Sequence, residues 1–184
     1  MFKPHYGVCT CHNLPNLIVV KAGLCKKGNE EKKNLVKNQK TQRVVSRFKK
    51  QSAGNGTAKL KIALDAVFSL YIRYRDSVNG MNQCITCSKT MLIKDLQDGH
   101  YESRNHLALR WDETNNHPQC YYCNIILKGN YPVYTIKMLE KYGESHLQML
   151  AIKKHNTTHL TRFEYEMLIK EYTKKLNELM LKVS

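Results

Sequence analysis

Two Cys-x-x-Cys pairs constrain the fold of this chain more than any other feature. Cys84/Cys87 and Cys120/Cys123 are separated by 32 residues. Each such turn places two thiolates on one side of a metal, and two turns complete a closed four-cysteine site for structural Zn²⁺. Disulfides or unrelated buried thiols are the alternative. The separation exceeds the roughly 15–20 residues of a zinc ribbon, so the segment between the pairs must carry something extra.

Positive charge is concentrated in one part of the chain. The 184 residues carry a net charge of +15, and ten of those charges arise between Lys26 and Lys61. Such a surplus favours a polyanionic partner, nucleic acid before a membrane surface. The run has the composition of a DNA-backbone contact through Arg43, Arg47, Lys49 and Lys50, and a solvated linker is the alternative.

No apolar run approaches the roughly 20 residues that span a bilayer. Residues 1–10 lack the apolar stretch of a secretory signal. We therefore expect an intracellular protein with no membrane partner, in which seven cysteines favour metal binding over disulfides.

The spacing of apolar residues and the positions of turn-forming residues predict the α+β fold class, with a small zinc-stabilised core and flanking helices. Leu60, Leu64, Val67 and Tyr71 recur at helical spacing, and short strand-like stretches are expected between Tyr101 and Trp111. Thr161-x-x-Glu164 is a capping box. The predicted regions are an N-terminal knuckle over 1–28, a basic linker or helix over 29–57, an amphipathic helix over 58–80, the cysteine core over 81–130, and C-terminal helices over 131–184.

The residues inside the cysteine core narrow the prediction further. Gly99-His100-Tyr101, Asn115 and Cys120-x-x-Cys123-Asn124 resemble an HNH endonuclease with embedded zinc knuckles. The longer strings from Asp98 to Arg104, Leu109 to Glu113 and Asn115 to Cys120 resemble the NinG (Rap) family of phage recombination endonucleases. The resemblance covers roughly residues 60–175. It implies a ββα-metal, treble-clef-like core.

The resemblance also implies roles for individual residues. His100 would be the general base that takes a proton from the attacking water, a role that suits imidazole. Asn115 would tie the hairpin loop together and orient that base. Asn124 would ligate a catalytic Mg²⁺ or Mn²⁺.

The sequence departs from the HNH pattern at one position. Many HNH enzymes carry a metal-ligating aspartate immediately before the first histidine, and here that position is Gly99. Asp98 and His117 are the candidates to complete the ligand set. Further candidates are DNA contacts at Arg104, Arg110 and Lys128, with ordinary solvated surface as the alternative, while Trp111 is expected in the core.

The N-terminal cysteines form a second, irregular cluster. Cys9, Cys11 and Cys25 could bind a second zinc with His12 or His5 as the fourth ligand. Free thiols are the alternative, since a second regular Cys-x-x-Cys pair is missing there.

The resemblance implies a metal-dependent DNA endonuclease that cleaves branched DNA, such as Holliday junctions or D-loops, during phage recombination. It implies DNA and recombination proteins as partners, a homodimer for paired cuts, and the cytoplasm of an infected bacterium as the location. Two alternatives stay open. One is an HNH enzyme that nicks ordinary duplex, and the other is a non-catalytic zinc module that binds DNA or recruits partners.

Overall fold

The computed structural model describes residues 56–182 continuously, and before them only three strands, 5–7, 17–20 and 24–25. The chain divides into two units, one of residues 1–46 with Ser184 and one of residues 47–183. The basic linker, the side chains of the N-terminal cysteine cluster and Arg43, Arg47, Lys49 and Lys50 lie outside the described residues.

In the first unit, the described strands form an antiparallel sheet in the order β1-β2-β3. β1 is His5–Gly7, β2 is Leu17–Val20 and β3 is Leu24–Cys25. His5 is in register with Val19, and Val20 with Leu24.

The described part of the second unit mixes helices with two antiparallel hairpins. The elements, in chain order, are α1 (Thr57–Arg75), β4 (Met81–Gln83), β5 (Thr90–Leu92), β6 (Leu96–His100), α2 (Leu107–Arg110), β7 (Asn116–Cys120), α3 (Tyr131–Tyr142), α4 (Glu144–Lys153) and α5 (Arg162–Lys182). A 3₁₀ turn at Ile93–Asp95 precedes β6, and a π-helical turn at Tyr122–Ile126 follows β7.

The largest core lies between α1 and α5. The apolar stripe of α1 is buried against the matching face of α5, and the rings of Phe68 and Tyr172 meet edge to face with centroids 4.8 Å apart. Edge-to-face packing suits the quadrupoles of aromatic rings. Trp111 packs at the border of this core, as expected, and donates Nε1–H to Asp65 of α1 at 3.0 Å.

A second core joins α2, α3 and α4 through Leu109, Tyr134, Met138 and Leu150, all fully buried. The β6–β7 hairpin is held against it because the Tyr134 hydroxyl donates to the carbonyl of Gly99 at 3.0 Å. The 15-residue connection between β6 and β7, residues 101–115, contains α2.

The α+β class is confirmed. The helix predicted over 58–80 is observed at Thr57–Arg75, three helices lie in the predicted C-terminal region, and α2 was not predicted. The capping box is formed, since the Thr161 amide donates to Glu164 at 2.7 Å and the Glu164 amide to Thr161 Oγ1 at 3.3 Å. The strands predicted between Tyr101 and Trp111 are wrong, because the paired strands lie on either side, at 96–100 and 116–120. The described helices include none long and apolar enough to cross a membrane.

Candidate functional site

The four cysteines of the two pairs converge on one point. The Sγ atoms of Cys84, Cys87, Cys120 and Cys123 all lie within 4.8 Å of one another, and Cys87 Sγ is 3.8 Å from Cys120 Sγ. Thiolates about 2.3 Å from a tetrahedral zinc stand about 3.8 Å apart. The donor set and spacing fit Zn²⁺, and all four positions of the tetrahedron are filled by protein.

Hydrogen bonds surround the sulfurs of this cluster. The Cys120 amide donates to Cys84 Sγ at 3.3 Å, and the Cys123 amide donates to Cys120 Sγ at 3.4 Å. Burial alone would raise the pKa of the Cys84 thiol, but backbone amides and the Thr86 hydroxyl outweigh it and lower that pKa. Such donors stabilise a thiolate, the form that binds metal. The predicted structural zinc site is therefore assembled.

An open cleft of about 370 Å³ lies beside β6. It is bordered by the end of α1, by β6, by the loop that precedes α2 and by the π-helical turn. Its polar lining is Asp65, Ser69, Arg73, Gln97, Asp98, His100, Arg104, Arg110 and Asn124. Five sequence-predicted site residues thus share one cleft: Asp98, His100, Arg104, Arg110 and Asn124.

His100 is held in a defined tautomer. Its Nε2 lies 3.2 Å from the carbonyl oxygen of Arg110, which can only accept, so Nε2 carries the proton and Nδ1 has the free lone pair. Burial lowers the pKa of His100 to about 4, and the nearby charges of Arg104 and Arg110 act in the same direction. The ring is therefore neutral near pH 7 and able to accept a proton.

Asp98 lies on the same face of β6 as His100, because side chains two residues apart in a strand point the same way. Its Oδ1 is buried and has no hydrogen-bond partner among the described residues. Burial raises the pKa of Asp98 to about 7, although Arg73 and Arg75 oppose the shift. A buried carboxylate oxygen without a partner is a vacant ligand for a cation.

Asn124 approaches from the π-helical turn between the last cysteine and α3. Its Nδ2 donates to Gln97 Oε1 at 2.8 Å, which fixes the amide group. The Oδ1 of Asn124 makes no hydrogen bond to the described residues, so it too can ligate a cation.

Asn115 and Asn116 tie the connection between the strands. Asn115 Oδ1 accepts from the Glu102 amide at 2.7 Å, and its Nδ2 donates to the carbonyls of Glu102 at 3.0 Å and Leu109 at 3.1 Å. Asn116 Nδ2 donates to the Asp112 carbonyl at 2.8 Å. Both side chains are fully buried. Asn115 therefore fixes the loop that carries Arg110, whose carbonyl oxygen accepts the hydrogen bond from His100 Nε2.

His117 is not placed where a cleft ion could reach it. It is in cross-strand register with Gly99 and is fully buried. Its Nδ1 lies 3.0 Å from the Tyr134 hydroxyl and its Nε2 lies 2.8 Å from the Tyr142 hydroxyl, so both ring nitrogens are occupied. His117 is therefore a core histidine, and the prediction that it completes the catalytic metal site is wrong.

Arg110, which was predicted to contact DNA, instead forms an internal ion pair with Asp65. Its side chain is only 7% exposed, and it forms two hydrogen bonds to Asp65, at 2.8 and 2.6 Å, and one to the Arg104 carbonyl at 2.8 Å. Burial and these bonds keep its guanidinium from a phosphate. By contrast, Arg104 is 63% exposed at the cleft and Lys128 is exposed, so both can still meet a backbone phosphate.

Gly99 has a steric reason to be glycine. A Cβ at this position would lie 2.1 Å from Gln119 Oε1 and 2.7 Å from Gln119 Cδ. Gln119 is fully buried and its Nε2 donates to the Gly129 carbonyl at 2.9 Å, so it cannot move aside freely. The carboxylate that many HNH enzymes carry at the matching position would not fit here, whereas Asp98 lines the cleft.

Besides Gln97 of β6, three polar residues of the cleft, Asp65, Ser69 and Arg73, lie outside the set of sequence-predicted candidates. They recur every four residues along α1 and so form a polar stripe beside its buried face. That spacing is readable in the sequence. Arg73 donates Nη1–H to the Leu96 carbonyl at 3.2 Å, which also fixes α1 to β6.

Comparison with known proteins identifies the family. Residues 5–181 match the family described as "NinG: Bacteriophage Lambda NinG protein". The chain belongs to the NinG family. Similar NinG proteins include the "Protein ninG" of Escherichia phage 933W and of Escherichia phage lambda. Each is 31% identical to this chain over 121 residues, 65% of the chain and 57% and 56% of those proteins respectively.

The "Protein ninG" of Salmonella phage P22 is equally similar, at 31% identity over the same share of this chain. The alignment thus spans a little over half the length of these NinG relatives. No solved structure matches the fold of this NinG chain.

Proposed function

We propose that this chain is a metal-dependent DNA endonuclease of the HNH type, with a ββα-metal core, that cleaves branched DNA during phage recombination. The observation that carries the proposal is the cleft in which His100, Asp98 and Asn124 come together beside a closed cysteine cluster. The net charge of +15 supports a polyanionic substrate. Membership of a bacteriophage protein family supports a phage setting, and the recombination role is what the resemblance to that family implies.

The proposed chemistry is hydrolysis of a phosphodiester bond. His100 Nδ1 takes a proton from water as the water oxygen bonds to phosphorus. The bond from phosphorus to the 3′ oxygen then breaks, leaving a 5′ phosphate and a 3′ hydroxyl. Because Nε2 donates to the Arg110 carbonyl, Nδ1 is the nitrogen left to accept the proton.

Asp98 and Asn124 would hold the catalytic Mg²⁺ or Mn²⁺ through oxygen atoms, the ligands these cations prefer. The fit rests on the Asp98 Oδ1 that has no partner among the described residues and on the amide of Asn124 fixed by Gln97. When bound, such an ion stabilises negative charge on the phosphate and on the leaving oxygen. Arg104 supports phosphate binding at this cleft because its side chain is 63% exposed there, and Arg73 adds a second positive charge to the lining.

The cysteine site has a separate role in this proposal. Its four ligands leave no open position for water or substrate, so its Zn²⁺ would be structural. It would hold β7 and the π-helical turn in place, and thereby Asn124. The chemistry would occur only at the adjacent cleft.

The test compares substrates and metals with purified protein. A four-way junction, a D-loop and a linear duplex of equal length are incubated with Mg²⁺, Mn²⁺ or EDTA. We expect metal-dependent cleavage that favours the branched substrates. Asp98→Asn and Asn124→Ala should raise the metal concentration needed for half-maximal rate, whereas Asp76→Asn, an acidic control outside the cleft, should not.

Three results would contradict the proposal in different ways. Equal cleavage of junction and linear duplex would indicate an HNH enzyme that nicks ordinary DNA. Tight junction binding with no cleavage in any metal would indicate a non-catalytic zinc module. Ends with a 5′ hydroxyl and a 3′ phosphate would contradict the proposed hydrolysis.

A further inference from the structure

An unusual group of exposed apolar side chains surrounds the proposed metal ligand Asn124. Tyr121, Tyr122, Ile125 and Ile126 are 56%, 60%, 50% and 54% exposed. Tyr122, Ile125 and Ile126 lie on the π-helical turn, and Tyr121 directly precedes it. Tyr121 and Ile125 are four positions apart, as are Tyr122 and Ile126, so each tyrosine neighbours an isoleucine. We call these four residues the Tyr–Ile surface. Contiguous exposed apolar side chains mark interaction sites.

The backbone beneath the Tyr–Ile surface is rigidly held. Cys120 and Cys123, on either side of the tyrosines, belong to the cysteine cluster. The amide of Gly129 donates to the carbonyls of Cys123 at 2.9 Å and Asn124 at 3.0 Å, which closes the turn. This fixed backbone presents the four apolar side chains to solvent. A π-helical turn of this kind is often found at functional sites.

The Tyr–Ile surface is continuous with the proposed active site. Ile125 and Asn124 both line the cleft that holds His100. A phosphodiester bound between His100 and Asn124 would place its neighbouring nucleotides against the tyrosines and Ile126. The surface is thus within reach of the bases on either side of the cut.

The charge around the Tyr–Ile surface favours DNA as its occupant. Residues 114–139 contain no aspartate or glutamate, and the exposed Lys128 lies just beyond Ile126, whereas Lys137 is paired with Glu140. Apolar side chains on a cationic, acid-free segment suit a ligand with flat apolar faces and an anionic backbone. Exposed tyrosine and isoleucine can stack on unpaired bases or wedge between base steps.

We propose that the Tyr–Ile surface is a base-stacking wedge that recognises unstacked bases at the branch point of DNA. This inference rests on the proposed function, because it assigns substrate recognition at the same cleft. A linear duplex has no unstacked bases, so the wedge would contact it little. Junction preference would then come from this turn, while phosphate contacts supply affinity for any DNA.

The test measures binding without cleavage, with Ca²⁺ in place of Mg²⁺. Dissociation constants are measured for a four-way junction and for a linear duplex of equal length, with 2-aminopurine at the branch point as a probe of unstacking. Tyr122→Ala and Ile126→Ala should each weaken junction binding about tenfold or more. They should change duplex binding less than about twofold and abolish the rise in 2-aminopurine fluorescence.

Matched variants control for nonspecific effects. Tyr122→Phe keeps the ring and should retain junction preference. Ile152→Ala removes an equally apolar, 70% exposed side chain from α4, away from the cysteine turn, and should change neither binding constant. Zinc content should be the same in every variant.

Unchanged binding, or equal weakening on junction and duplex, would overturn the wedge. So would a dimer that Tyr122→Ala converts to monomers, because the surface would then be an interface between two copies. Different results would contradict the wedge proposal and the nuclease proposal. Junction-selective binding without cleavage in Mg²⁺ overturns only the nuclease, and cleavage that stays junction-selective in Tyr122→Ala overturns only the wedge.

Discussion

At the scale of single residues, the site depends on which atoms are already occupied. His100 Nε2 is committed to the Arg110 carbonyl, and both nitrogens of His117 are committed to tyrosine hydroxyls. Only one of the two histidines therefore has a free nitrogen at the cleft. The resemblance to the NinG family implies that His100 is the base and leaves His117 as a candidate metal ligand, because the sequence does not show which face of the hairpin each occupies. The separation comes from strand register, which places them on different faces.

Removing one cysteine ligand should release the structural zinc. Cys84→Ser should lower the zinc content by one ion per chain and lower the melting temperature, because a closed zinc site stabilises the fold by coordination. Elemental analysis and thermal unfolding measure both effects. Lys89→Ala, an exposed control in the same turn, should keep its zinc. Unchanged zinc content in Cys84→Ser would contradict the assignment.

Introducing at position 99 the carboxylate that many HNH enzymes carry should destabilise the protein. Gly99→Ala already places Cβ against Gln119, and overpacking of this kind costs about 1–3 kcal/mol. Gly99→Asp should cost more. Denaturant unfolding of Gly99→Ala, Gln119→Ala and the double variant forms a cycle. We expect the double variant to lose less than the two single losses combined, and additive losses would contradict the steric explanation.

At the scale of elements, α1 does more than supply a buried stripe. Asp65 of α1 binds the Arg110 guanidinium, and the Arg110 carbonyl fixes His100. Arg73, two turns further along α1, binds the Leu96 carbonyl at the start of β6. The helix thus positions both ends of the strand that carries Asp98 and His100.

Asp65→Ala should therefore be costly although Asp65 is not a proposed catalytic group. Loss of its carboxylate leaves the buried Arg110 unpaired and Trp111 Nε1 without its acceptor, and we expect a loss of about 2–3 kcal/mol. Urea unfolding measures it. Glu166→Ala, which breaks only an exposed ion pair within α5, should cost less than about 0.5 kcal/mol. Comparable losses would show that the Asp65–Arg110 pair does not hold the site.

The sequence predicts some of these elements and misses others for physical reasons. The helices are found from their 3.6-residue periodicity, and α5 from its capping box. The strands are misplaced because β6 contains Asp98 and Gly99 and β7 contains Pro118, residues that disfavour isolated strands. Pairing between β6 and β7 overrides those local preferences. The buried amides of Asn115 and Asn116 meanwhile hold residues 101–112 as a loop.

At the scale of the whole molecule, the positive charge gives a test of DNA binding that is independent of cleavage. If the protein neutralises about six phosphates, a plot of log affinity against log salt should have a slope near −5. Replacing Arg47 and Lys49 together with alanine should reduce that slope by about 2. Lys174→Ala, on an exposed face of α5, should leave it unchanged. Binding that barely weakens as salt rises would contradict a phosphate-contact role.

The proposed nuclease depends above all on His100 taking the proton from water in the cleft. The single-turnover cleavage rate of a four-way junction in Mg²⁺ or Mn²⁺ tests this step, with the unaltered protein beside His100→Ala and with His159→Ala, an exposed histidine, as control. We predict that His100→Ala lowers the rate about 10²- to 10⁴-fold, with zinc content and junction affinity retained. Cleavage by His100→Ala at a rate near that of the unaltered protein would contradict this role.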